Sequence, residues 1–175
     1  MKVKAIPSHG QTHGPLEDRR VPIRLKLSAL WASFMFLYVY VDILAFFKPG
    51  TIADILVGRV WEFEISQPWA LGALVLMTIP ALMVFLSLAL PAGVARWTNL
   101  VVGSLYVPVS IFNVVGESWW AFYWFGAAVE TALLLMIVRS AWTWPHAAEL
   151  RMESAEGRIA VGQALSSVAK SEKRA

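Results

Sequence analysis

Two carboxylates stand where the chain is otherwise apolar. Asp42 sits in the run YVYVDILAFF, Tyr38 to Phe47, and Glu130 in the run from Trp119 to about Val138. Tyr38, Tyr106, Asn113 and Thr78 lie in neighbouring apolar runs at comparable depths. In surroundings of low dielectric these residue types do a narrow set of things. A carboxyl binds or releases a proton, or pairs with a cation. A phenol, amide or hydroxyl orients hydrogen bonds to a partner or a small ligand. Placing an Asp at the centre of a membrane helix costs about 2.5–3.5 kcal/mol on insertion scales, so ionisable residues there face a bundle interior and find partners.

Other chemistries have less support. The chain has no cysteine, which excludes a disulfide, a thiolate metal site and covalent c-type haem. No span carries His or Cys, so an internal haem with histidine ligands is not expected. There is no phosphate-binding glycine loop and no HExxH. No cofactor, no metal site and no catalytic residue is assigned. His9 and His13 are four apart, a spacing that grips a metal on a helix, but Gly10, Gly14 and Pro15 argue for a flexible arm instead.

The elements that must position these residues are membrane spans. Hydrophobic residues make up 58% of the chain and charged residues only 15%, against about 25% in globular domains. Of 15 Lys and Arg, six precede Leu27 and five follow Trp142. The pI near 9.4 therefore reflects anchors flanking apolar runs and contacts to lipid headgroups, not a nucleic-acid surface. The reading is all-α: a four-helix transmembrane bundle with a short outer amphipathic helix and polar tails. The spans fall at about 27–47, 69–90, 97–115 and 119–138, each close to the ~20 residues that cross a hydrocarbon core. None reads as a cleaved signal peptide. Residues 1–26 read as a flexible basic arm and 145–175 as a weakly amphipathic or disordered tail, with Ile159, Val161, Leu165 and Val168 on its stripe.

Lys and Arg also set the orientation. They crowd both tails, and Arg96 occupies the turn between spans 2 and 3, whereas the turn between spans 3 and 4 holds only Glu117. Both termini are expected to be cytoplasmic, in a cell (inner) membrane. In the outer segment, Ile52, Ile55, Leu56, Val60 and Phe63 recur at helical spacing and predict an amphipathic helix. Trp61, Trp69, Trp119 and Trp120 fall near one interface and Trp31, Trp97, Trp142 and Trp144 near the other, as two aromatic belts.

Helical spacing then groups the polar residues. On span 3, Asn99, Gly103, Tyr106, Ser110 and Asn113 share one face, with Leu100, Val101, Leu105 and Phe112 expected toward lipid or the flanks. Trp31, Met35, Tyr38 and Asp42 share a face of span 1, and Tyr123, Ala127, Glu130 and Leu134 a face of span 4. From rise per residue, Asp42 lies roughly 8 Å and Glu130 roughly 17 Å inside the outer boundary, with Tyr38, Thr78 and Tyr106 near the Glu130 level. The two acids are too far apart along the normal for a direct bond, and water or the Tyr38 hydroxyl is the expected link. Pro80 and Pro108 leave the carbonyls of Leu76 and Ser104 in need of donors. Glu130 is expected to be neutral unless water enters, and a neutral Glu130 can serve one of those carbonyls.

The residues Tyr40, Asp42-Ile43-Leu44, Pro49-Gly50, Ser66-Gln67, Leu71-Gly72-Ala73, Met77, Ile79-Pro80, Leu90-Pro91, Arg96-Trp97, Asn99 and Glu130 carry a resemblance. The chain resembles a family of small bacterial four-span membrane proteins, over roughly Leu27 to Trp144, and no established activity comes with it. In span count and size the layout is also similar to the DoxX-like four-helix membrane proteins, some of which are tied to redox and oxidative-stress systems. Three functions follow for the polar faces. They line an interhelical site for a small apolar ligand or a proton. Or they fasten an accessory subunit or homo-oligomer. Or, with least support, they serve an enzyme acting on a quinone-type substrate.

Overall fold

The computed structural model describes residues 21–145 together with Ala155, Arg158, Ile159 and residues 161–163. His9, His13, Leu165 and Val168 lie outside the described residues. Helix α1 spans Ile23–Ala45 and the short α2 Thr51–Leu56. A hairpin of β1, Arg59–Val60, and β2, Phe63–Glu64, leads into α3, Gln67–Ala89. Helices α4, Ala92–Phe112, and α5, Trp120–Trp142, complete an all-α bundle of four long helices.

Local chemistry sets the helix ends. Pro22 precedes α1, and its carbonyl accepts from Lys26 N. The helix therefore starts at Ile23, ahead of the apolar run that begins at Leu27, because hydropathy marks lipid-compatible residues and proline marks where helix starts. Ser66 caps α3, its Oγ accepting from Trp69 N at 3.4 Å, with Pro68 in the first turn where a missing N–H costs nothing. Leu90 and Pro91 alone separate α3 from α4.

The segment after α1 departs from the single amphipathic helix that its spacing predicts. Helix persists only to Leu56. Gly58 then adopts φ +82°, a left-handed conformation that turns the chain. Val60 and Phe63 become partners across a two-residue hairpin, so their three-residue spacing reports a strand pair and not a helical stripe.

Packing is uneven around the bundle. α1 lies against both α3 and α5, and α4 lies against α5, whereas α3 and α4 meet sparsely despite being consecutive. Two close approaches seal the well-packed seams. A Cβ on Gly103 would stand 3.0 Å from Val138 on α5, and one on Gly126 would stand 2.9 Å from Val41 on α1. The core gathers at the end of the bundle that carries the chain termini: Leu27, Trp31, Phe34, Met83, Leu134, Ile137 and Ala141.

Two sequence expectations change here. Trp31, assigned to an aromatic belt, is fully buried, because its indole N–H reaches Asn99 on α4. Leu100, assigned to the lipid side, is buried beside the Asn99 face, while Val101, Leu105 and Phe112 are exposed. Three helices, α1, α3 and α5, are long and apolar enough to cross a membrane. The sequence reading counted α4 with them. It is long enough, but Arg96, Thr98, Asn99, Ser104 and Ser110 dilute its apolar content, and it does not reach the same standard. Large apolar side chains such as Phe36, Phe85 and Phe125 cover the outside, the surface a lipid bilayer accepts.

Candidate functional site

At the hairpin end of the bundle, where α3 and α4 diverge, lies a cavity of about 1180 Å³. Its walls come from the second half of α1, the first half of α3, the second half of α4 and the first half of α5, with α2 and the hairpin also lining it. The lining is largely apolar and aromatic, including Phe46, Trp61, Phe63, Trp69, Leu76 and Phe112.

Five of the six residues picked from the sequence border this space or its floor. Tyr38, Asp42, Asn113 and Glu130 line it. Tyr106 is buried beneath them, its ring edge-on to Phe34 at 6.1 Å and to Trp31 at 6.4 Å. Thr78 is left out. It faces away from the bundle and returns its hydroxyl proton to the Leu74 carbonyl of its own helix at 2.7 Å.

The hydrogen bonds differ from those expected in one respect. The Leu76 carbonyl, freed by Pro80, accepts from the Tyr106 hydroxyl, not from Glu130. This clasp is one of the few links between α3 and α4. The Tyr38 hydroxyl accepts from Asn113 Nδ2 at 2.6 Å, which leaves the phenol proton to be donated elsewhere.

Glu130 is 3% exposed, and what it exposes is the cavity wall. It lies beside Ser110, whose hydroxyl is buried with no hydrogen bond of acceptable geometry. Asp42 is within electrostatic reach of Glu130, and both act on Tyr38. Among the described residues, neither acid has a Lys or Arg within ion-pair distance. The lysine on the cavity wall, Lys48, is held by Glu117 and stands 5.7 Å over the Tyr123 ring. No group of three or more metal-ligating side chains occurs among the described residues.

Sequence reasoning missed Trp61. It adopts φ +52°, uncommon for a residue with a side chain, and its ring lies 3.3 Å from where a Cβ on Gly116 would be. Gly116 itself adopts φ +81°, so the tight loop between α4 and α5 and the hairpin are fitted to each other. The Val60/Phe63 pairing around a two-residue loop was the signal available.

Fold and surface define a multi-pass membrane protein with a cavity set among its helices. The chain belongs to the Family of unknown function (DUF6326), whose model matches residues 17–150. No curated protein and no solved structure matches it.

Proposed function

We propose that the protein is a four-span membrane protein of the cell (inner) membrane with both termini cytoplasmic, and that it binds a small, mainly apolar molecule in the cavity between α3 and α4. The observation that carries this is the convergence of two acids without a cation partner among the described residues, Asp42 and Glu130, on one apolar space. Ligand sites are concave and apolar with a few convergent polar groups, and typically measure about 300–1,000 Å³. The cavity, at about 1180 Å³, is ample for such a molecule. The sparse contact between α3 and α4 supplies a lateral entrance, so that a lipid-soluble molecule reaches the acids without crossing water. In this reading α4 spans the membrane because α5 and the α3 clasp shield its polar face.

Native mass spectrometry from mild detergent tests the reading. One small molecule per chain, lost in the double variant Asp42→Asn, Glu130→Gln, is the expected result. Empty monomers would count against ligand binding, and dimers that occlude the cavity would favour assembly as its purpose. Orientation is tested by single cysteines in this cysteine-free chain. One replacing Thr51 is expected to react with an impermeant reagent from outside, and one replacing Ser171 is not.

A further inference from the structure

The charges in and around the cavity narrow the class of ligand, on the reading that the cavity binds one. Asp42 and Glu130 border it with no cation within ion-pair distance among the described residues. Lys48 is already engaged by Glu117. The loop residues that also line it, Asp54 and Glu62 against Arg59, add one further negative charge. The interior is therefore short of positive charge.

The neutral polar groups are of the same character. The Ser110 hydroxyl is fully buried on the wall and faces Glu130, to which it is placed to donate. The Tyr38 oxygen accepts from Asn113, which leaves its proton free to be donated, and the residue lines the same cavity as the acids. Aromatic residues also line the cavity: Tyr38, Phe46, Trp61, Trp69, Phe112 and Tyr123. Rings present negative faces that attract cations, more strongly once water is excluded.

We infer that the cavity takes a lipophilic cation, an ammonium group on an apolar body, with the charge between Asp42 and Glu130 and the body among the aromatic walls. A pair of acids without a resident cation ionises against an incoming ammonium and supplies the countercharge that such a molecule lacks in lipid. An anion of the same shape meets two acids, with Lys48 held by Glu117 and Arg59 outnumbered by Asp54 and Glu62. A neutral molecule fills the walls and leaves the acids unpaired.

Three probes with one body separate these cases: a naphthylalkyl amine, the matching alcohol and the matching carboxylate. Each is titrated into the full chain in lipid nanodiscs, reading quenching of tryptophan fluorescence, since Trp61 and Trp69 line the cavity. The amine is expected to bind at least about tenfold more tightly than the alcohol, a modest margin for a desolvated charge pair. The carboxylate is expected not to bind. Asp42→Asn and Glu130→Gln, each checked for an unchanged melting profile, are expected to reduce the amine to the level of the alcohol. Equal binding of amine and alcohol to the wild type would overturn the cation inference and leave the apolar-ligand reading standing. No binding by any of the three would overturn both.

Discussion

The two ends of the bundle solve the problem of polar groups in an apolar setting in opposite ways. At the end carrying the termini, polarity is consumed. Asn99 accepts from Trp31 Nε1 at 2.7 Å and donates to the Ala95 carbonyl at 2.8 Å, and Ser87 Oγ stands 3.2 Å from the same Asn99 oxygen. Ser28 Oγ donates to the Val84 carbonyl at 2.8 Å, tying α1 to α3. Among the described residues, Arg96 Nε is the one buried side-chain polar atom at this end without a partner. At the hairpin end, two carboxyls without a cation and a phenol proton remain around an open volume. Polar groups are structural in one half and the carboxyls are available in the other, and what differs is whether the facing helix is close enough to answer them.

The first way to break this comparison is to overfill a seam. Gly126→Leu would drive a side chain into Val41, and about 3 kcal/mol of destabilisation, or failure to accumulate, is expected. Gly93, with nothing within 4 Å of a new Cβ, provides the control. Gly93→Ala is expected to change stability by no more than about 1 kcal/mol. Chemical unfolding in mixed micelles measures both.

Asn99→Leu comes next. It strands the Trp31 indole in the dry half, while Ser87 keeps its bond to the Met83 carbonyl, at a cost of about 2 kcal/mol. The same unfolding assay reads it, and near-neutrality would mean that this half is not fastened by its polar bonds.

Tyr106→Phe sharpens the boundary between the halves. It removes the donor to the Leu76 carbonyl, for an expected loss of about 1 kcal/mol. Pro80→Ala restores a backbone N–H to that carbonyl. In the Pro80→Ala background the Tyr106→Phe loss is therefore expected to fall by more than half, and a double-mutant cycle reads the difference.

The smallest stability effect belongs to the hairpin half. Asp42→Asn and Glu130→Gln are each expected to shift unfolding by less than about 0.5 kcal/mol, because neither acid holds an ion pair among the described residues and the amide oxygen of Gln can still accept from Ser110. Retention of a bound molecule in native mass spectrometry is expected to fall in both. A large stability loss with no change in retention would make the acids part of the scaffold.

How much of this the sequence disclosed depends on the helix. On α4 the polar residues are frequent enough to mark a face, and Asn99, Gly103, Tyr106 and Ser110 are all buried as the spacing predicts. On α3 almost every position is apolar, so no periodicity sets its rotation. Thr78 was legible in depth and illegible in direction. Trp31 shows the same limit, since a tryptophan near a span end suits an interface and a buried acceptor equally until Asn99 is placed opposite it. The cavity was the least legible feature. It exists because α3 leans on α1 and not on α4, and pairwise helix preference among uniformly apolar faces leaves no mark in a single sequence. The acids that border it were visible because charge is rare in such runs.

The Tyr106–Leu76 clasp has a consequence for the order of synthesis. The ribosome completes Leu76 before Tyr106, and 30 residues separate them. At typical elongation rates that interval is roughly 2–6 s. Throughout it, α3 carries a carbonyl that its own backbone cannot serve, in a helix apolar enough to enter lipid on emergence. The clasp therefore closes only once both helices have been made, which makes it a late contact of the fold.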